Sequence, residues 1–223
     1  MIPQYNVPIK ISVDLTKVYS VPWRIIHNES GLVSNHFYEY MKGIGWRDFT
    51  LALGIEKKAI AFIDSSTKTS EEFEELAEQL FDDPDWTELM HIQGLDLGIA
   101  NVVFALYAFG CFPITSCRGH PLPIGERYPL VVFFARPEVV PLIVGVAAGA
   151  GVGLLSQEAD SEQSLIVYAK NILDMQRFAN GLHKAYSELE FIRQTKIKHP
   201  ALNIAESKSP KCHTTHSTLD QFC

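Results

Sequence analysis

The chain lacks any apolar run long enough to cross a membrane as a helix. The longest, Val139 to Leu155, is free of charge but carries four glycines and Pro141, and it falls short of the ~20 residues a span needs. It reads as a helix followed by a turn and a strand. The N-terminus alternates as "VPIKISVDL" where a secretory signal requires an unbroken apolar core, so a soluble cytosolic protein with no membrane partner is expected. Cysteine is sparse. Cys111, Cys117, Cys212 and Cys223 are neither dense nor regularly spaced, which argues for reduced thiols over a disulfide framework. There is no Walker lysine. Gly145, Gly149, Gly151 and Gly153 follow a helix where a dinucleotide fingerprint must precede one. Basic residues are too scattered to announce nucleic acid, with only Arg193, Lys196, Lys198 and His199 forming a small patch.

What acidity there is belongs to one stretch. Nine of the 26 acids lie between Glu71 and Glu88 without a Lys or Arg, leaving 17 acids against 19 bases elsewhere. Thr69 and Glu72 fit a capping box, and Phe73, Leu76, Ala77, Leu80 and Phe81 follow at helical spacing. The spacing predicts an amphipathic helix over Glu71 to Phe81. Its acids form either a solvated face or, on the alternative reading of the whole protein as a non-catalytic interaction module, a docking surface for a protein partner together with the aromatic N-terminal region.

In chain order, Val7 to Leu15 alternates with the period of a half-exposed strand. Val18 to Gly54 is aromatic and broken by glycines, so it reads as mostly irregular, with a short helix from Ser34 through Met41. Ala59 to Asp64, "AIAFID", reads as a buried strand. A buried helix ends at Gly110, and "CFPIT" is too short and proline-bearing to continue it, so it reads as an edge or entering strand. Tyr128 to Ala135 predicts an interior strand, Pro137 to Ala148 a helix, Leu154 and Leu155 the start of a strand, "SQEADSEQS" a polar loop, Leu165 to Ala169 a strand and Asp174 to Phe191 a helix. This order predicts an α+β fold, a mixed sheet with helices packed mainly on one face. Residues 1–200 are expected to form one domain, with 1–93 a candidate subregion, and 201–223 a disordered tail.

The candidate site is the turn Thr115-Ser116-Cys117-Arg118-Gly119-His120. Gly119 permits a positive φ, and such turns aim backbone N–H groups at anions. Arg118 offers a fork for carboxylate or phosphate, Thr115 and Ser116 offer hydroxyls, and His120 can donate, accept or carry a proton. Cys117 and His120 are the candidate catalytic pair, although nothing downstream supplies a group to orient the histidine. Cys111, Cys117 and His120 provide only three zinc ligands, and the tail's Cys212, His213, His216 and Cys223 lack a paired C-x-x-C, so no metal is predicted.

At "TSCRGH" the chain resembles the third-step methyltransferases of wybutosine synthesis, which modify a guanosine-derived base in tRNA with S-adenosylmethionine. Thr115, Ser116, Cys117 and Gly119 match that family's Thr-x-Ser-Ser-Cys-Ser-Gly-Arg-like turn, and "VVFFARPEVVPLIVGVAAGAGVGLL" followed by "SLIVYA" repeats its later order of elements. One Ser is absent, Arg118 replaces a Ser, and His120 replaces an Arg. The resemblance spans about residues 94 to 182, and an uncharacterised bacterial family with the same Ser-Cys-x-Gly turn fits the same residues. It implies group transfer from S-adenosylmethionine to RNA or a small molecule, with Arg118 and His120 anchoring the substrate.

Overall fold

The computed structural model describes residues 1–15, 43–92, 94–120, 127–159 and 162–198. Five strands form one mixed sheet: β1 (Ile11–Ser12), β2 (Phe112–Cys117), β3 (Leu130–Phe134), β4 (Gly153–Ala159) and β5 (Glu162–Tyr168), in the order β1-β4-β5-β3-β2. β1 runs parallel to β4, while the other three pairings are antiparallel. The helices are α1 (Trp46–Ser66), α2 (Ser70–Asp82), α3 (Ala100–Ala108), α4 (Val140–Ala150) and α5 (Ile172–Lys198). The fold is α+β.

One face of the sheet makes the core. Val131 pairs with Val167, Phe133 with Leu165 and Leu154 with Val167, and all five side chains are fully buried. Alternation sends every second residue to the same side, so these positions meet the helices as one layer. Phe49 and Ile63 of α1, Phe73 and Leu80 of α2, Leu106 of α3, Ile143 of α4 and Phe178 of α5 join the same cluster. The described residues before Gly94 therefore share a core with the sheet. Met1–Tyr186 forms one compact unit. A second begins at Ser187 and contains the end of α5, where Leu189 and Ile192 are exposed.

The acidic helix has its predicted start. Thr69 accepts the Glu72 N–H at 3.1 Å, and the Glu72 carboxylate takes the Thr69 N–H in return. α3 is apolar on nearly all sides and ends at Gly110, where φ is +85°. β2 lies at the sheet edge and β3 inside, as their sequences require.

Three expectations are corrected. Trp46 to Ser66 is a single helix, not an irregular stretch followed by a strand at Ala59–Asp64. Five nearly continuous apolar residues imitate a strand, but Phe49, Ala52, Leu53, Glu56, Ala59, Ile60 and Ile63 are buried at three- and four-residue steps, which is the helical period. Gly54 does not break it, because the buried Leu53, Ile55 and Glu56 around it outweigh the ~1 kcal/mol that a glycine costs within a helix. "SQEADSEQS" is not a loop over its length: β4 and β5 extend through it as a hairpin, pairing Gln157 with Ser164 and Ala159 with Glu162. The N-terminal strand shrinks to Ile11–Ser12. Before it, the backbone is bonded elsewhere, Tyr5 N–H to the Lys170 carbonyl at 2.8 Å and Lys10 N–H to the Tyr168 hydroxyl at 3.1 Å. The Ser34–Met41 helix and the tail 201–223 lie outside the described residues. Among the described residues no helix is long and apolar enough to cross a membrane.

Candidate functional site

β2 ends at Cys117, and the chain then turns through Gly119 at φ +80°. A Cβ there would stand 2.7 Å from both Cα and the carbonyl carbon of Tyr128, which are backbone atoms that cannot swing aside. The position is glycine for two reasons, its dihedral and this close approach. The turn is thereby pressed against the start of β3.

Arg118 follows Cys117 and points the opposite way, toward α2. Its side chain is only 2% exposed. Nε donates to Glu74 Oε2 at 2.8 Å, Nη2 donates to Glu78 Oε1, and the backbone N–H donates to Asp96 Oδ2 at 3.0 Å. Glu74 and Glu78 stand one helical turn apart, so a single face of α2 presents both carboxylates to one guanidinium. Burial works against the charge of Arg118, and Glu74, Asp96 and Glu78 outweigh it, holding the group protonated. Here the sequence reading and the structure part: the side chain expected to anchor an anionic ligand is an internal clamp between the turn and α2.

His120 faces the same Glu74 oxygen that Arg118 holds. Its Nδ1 lies 3.6 Å from Glu74 Oε2, and its ring is 31% exposed. Burial raises the Glu74 carboxyl above its usual range against the pull of Arg118 and His120. His120 also lines a cleft of about 680 Å³ whose opposite wall is the N-terminal segment Pro3 to Pro8, with Ser70, Arg127 and Tyr128 completing the rim. That wall is pinned to the end of β5. The Tyr168 hydroxyl donates to the Pro8 carbonyl at 3.0 Å while accepting the Lys10 N–H, and Asn171 Nδ2 donates to Gln4 Oε1 at 2.9 Å.

Tyr5 lies in this wall. Its hydroxyl is shut off from solvent and has no hydrogen-bond partner among the described residues. Burial first, and then the charge of Glu74, hold it above the ordinary phenol range, so it remains a donor.

The remaining predicted residues lie apart from the cleft. Thr115 is exposed in the β2–β3 ladder opposite Val132, and Ser116 is half-buried opposite Val131. Cys117 is half-buried, its Sγ accepts the Gly119 N–H at 3.3 Å, and it does not line the cleft. Cys111 is buried, and desolvation pushes its thiol up to about 12. Because β2 is extended, Cys111 and Cys117 are separated by six residues at ~3.3 Å each, far too distant to share a metal ion. Among the described residues no group of three or more His, Cys, Asp or Glu could hold one.

Sequence reasoning sought an orienting carboxylate downstream of His120, and the structure supplies one upstream in Glu74. Its signal was the pair Glu74 and Glu78 on one helix face. Tyr5, Ser70, Arg127 and Tyr128 carried no comparable signal. No protein-family model, curated protein or solved structure matches the chain.

Proposed function

We propose that the cleft beside His120 binds a small polar molecule, and that its activity is group transfer from S-adenosylmethionine to RNA or a small-molecule acceptor. The observation that carries the reading is a single cleft lined by His120, Arg127, Tyr128 and the N-terminal segment Pro3 to Pro8. The cleft's volume of about 680 Å³ lies within the range of small-molecule sites. Its donors fit the proposed group: Arg127 suits a carboxylate, and the rings of Tyr5 and Tyr128 suit a flat purine. S-adenosylmethionine bound there would supply an electrophilic methyl group.

Calorimetric titration of the metal-stripped protein with S-adenosylmethionine tests this. Binding in the micromolar range, about -8 kcal/mol, is expected, together with its loss in His120→Ala at an unchanged melting temperature. An absence of heat at several temperatures retires this ligand, and equal loss of binding and stability makes His120 a structural residue.

A further inference from the structure

We propose that Glu74 is the positioning residue of His120: it fixes the imidazole proton on Nδ1 and leaves Nε2 as a base, so the cleft's substrate is an acceptor with an ionisable N–H or O–H. This rests on the reading of the cleft as a group-transfer site, and it adds the direction of one proton and the chemistry of the acceptor.

Glu74 is the acid of α2 whose bound oxygen also faces His120. Its Oε2 is held at 2.8 Å by Arg118 Nε. Arg118 is itself fixed twice more, by Glu78 at Nη2 and by Asp96 at its backbone N–H. The oxygen that faces His120 Nδ1 is therefore a stationary acceptor. A ring nitrogen facing such an oxygen is repelled if it presents a lone pair and attracted if it presents N–H, so the neutral ring carries its proton on Nδ1. Nε2 is left as the acceptor on a ring that lines the cleft. The 3.6 Å separation exceeds a hydrogen bond, and contacts of this kind shorten as the ring gains charge.

Among the described residues, the charged and titratable groups around the ring are Glu74 and Glu78 of α2, Arg118 and Cys117 of the turn, and Tyr5, Arg127 and Tyr128 along the cleft. In the step assigned to His120, the N–H or O–H bond of the acceptor breaks and its electron pair stays on the acceptor as the nucleophile. The proton forms a bond to Nε2. The resulting imidazolium has a fixed carboxylate at Nδ1, while Arg118 and Glu78 neutralise one another behind it. Thus Glu74 would act on the substrate only through His120.

Long-range proton–nitrogen correlation spectra of the unliganded, histidine-labelled protein give the test, with the His120 signal identified by its loss in His120→Ala. The expected pattern is a protonated Nδ1 and an unprotonated Nε2. Glu74→Gln should shift that ring toward the opposite tautomer, whereas Glu78→Gln, which loosens Arg118 without touching His120, should leave it in place. A wild-type ring protonated at Nε2 overturns the proposal, as does a pattern unchanged by Glu74→Gln. If Glu74→Gln does not fold, the wild-type and Glu78→Gln spectra still decide. None of these spectra needs S-adenosylmethionine, so failure of that ligand and failure of the positioning role are separate results.

Discussion

The carboxylate of Glu56 accepts hydrogen bonds from both the backbone N–H and the side-chain amide of Asn101, and it also takes the N–H groups of Gly98 and Ala100. These groups lie at the start of α3, where Ile99 occupies the capping position and has no side-chain acceptor to offer. A fully buried carboxylate from α1 does the work of the missing cap, with its charge at the positive end of the helix dipole. Asp96, which holds the Arg118 N–H, belongs to the turn that Glu56 clamps, so the buried carboxylate also supports the candidate site. Glu56→Ala should leave several buried N–H groups unpaired at ~1–3 kcal/mol each. A loss of at least ~3 kcal/mol in urea unfolding is expected, with an unchanged denaturant slope. A loss below ~1 kcal/mol, the range of an ordinary surface change, would mean that α3 does not depend on this carboxylate.

The same group makes stability depend on pH. Burial raises the Glu56 carboxyl from 4.5 to about 7, against the lowering effect of its hydrogen bonds with Asn101, Gly98 and Ala100. Between those two values the folded state keeps a proton that the unfolded chain has released, so stability falls as pH rises through this window. Below 4.5 both states are protonated, above about 7 both are ionised, and the contribution is level on either side. The change across the window is at most ~3 kcal/mol. Burial shifts Glu74 in the same direction. Urea unfolding at pH 5 and pH 8 should therefore show a more stable protein at pH 5, with a smaller difference in Glu56→Gln. An equal pH dependence in both proteins would assign the effect to other groups.

Much of the fold could be read from periodicity alone. The capping box at Thr69, the buried helix before Gly110 and the edge and interior strands each rest on local signals that tertiary contacts reinforce. α1 was hidden because Gly54 looks like a break and "AIAFID" like a strand, and only the spacing across both shows one helix. The turn at Gly119 was legible because glycine there reports backbone geometry. The role of Arg118 was not: a guanidinium that binds a ligand and one that binds Glu74 and Glu78 look alike until the distant helix is placed against it. Glu56 illustrates the same limit, since its partners lie 42 to 45 residues away and no spacing rule connects them.

Two glycines should respond to alanine in opposite directions. Gly54 lies in the middle of α1 with nothing within 4 Å of an added Cβ and no positive φ. Alanine there should stabilise by ~0.5–1 kcal/mol through lower unfolded-state entropy and better helix propensity. Gly119→Ala must tolerate φ +80° and a 2.7 Å clash with Tyr128 backbone atoms. A loss of ~2 kcal/mol or more is expected, of the size that strain at a special dihedral produces. Thermal unfolding of the two variants measures both signs, and a neutral Gly119→Ala would show that the turn can move off β3.

Charge reversal on α2 separates the internal clamp from a docking surface. Glu74 is mostly buried against Arg118, so Glu74→Lys sets two cations together and leaves the guanidinium uncompensated. Removing one partner of a buried pair typically costs ~3–5 kcal/mol, and the same order of loss is expected here. Glu75 is exposed and bonds neither Arg118 nor His120, and Glu75→Lys should change stability by less than ~0.5 kcal/mol. If α2 is also a docking surface, Glu75→Lys should abolish capture of the protein partner while unfolding at the wild-type urea concentration. Loss of capture in Glu74→Lys alone, accompanied by its loss of stability, would instead report a broken Arg118 clamp, and an interaction face on α2 would then have no support from charge reversal.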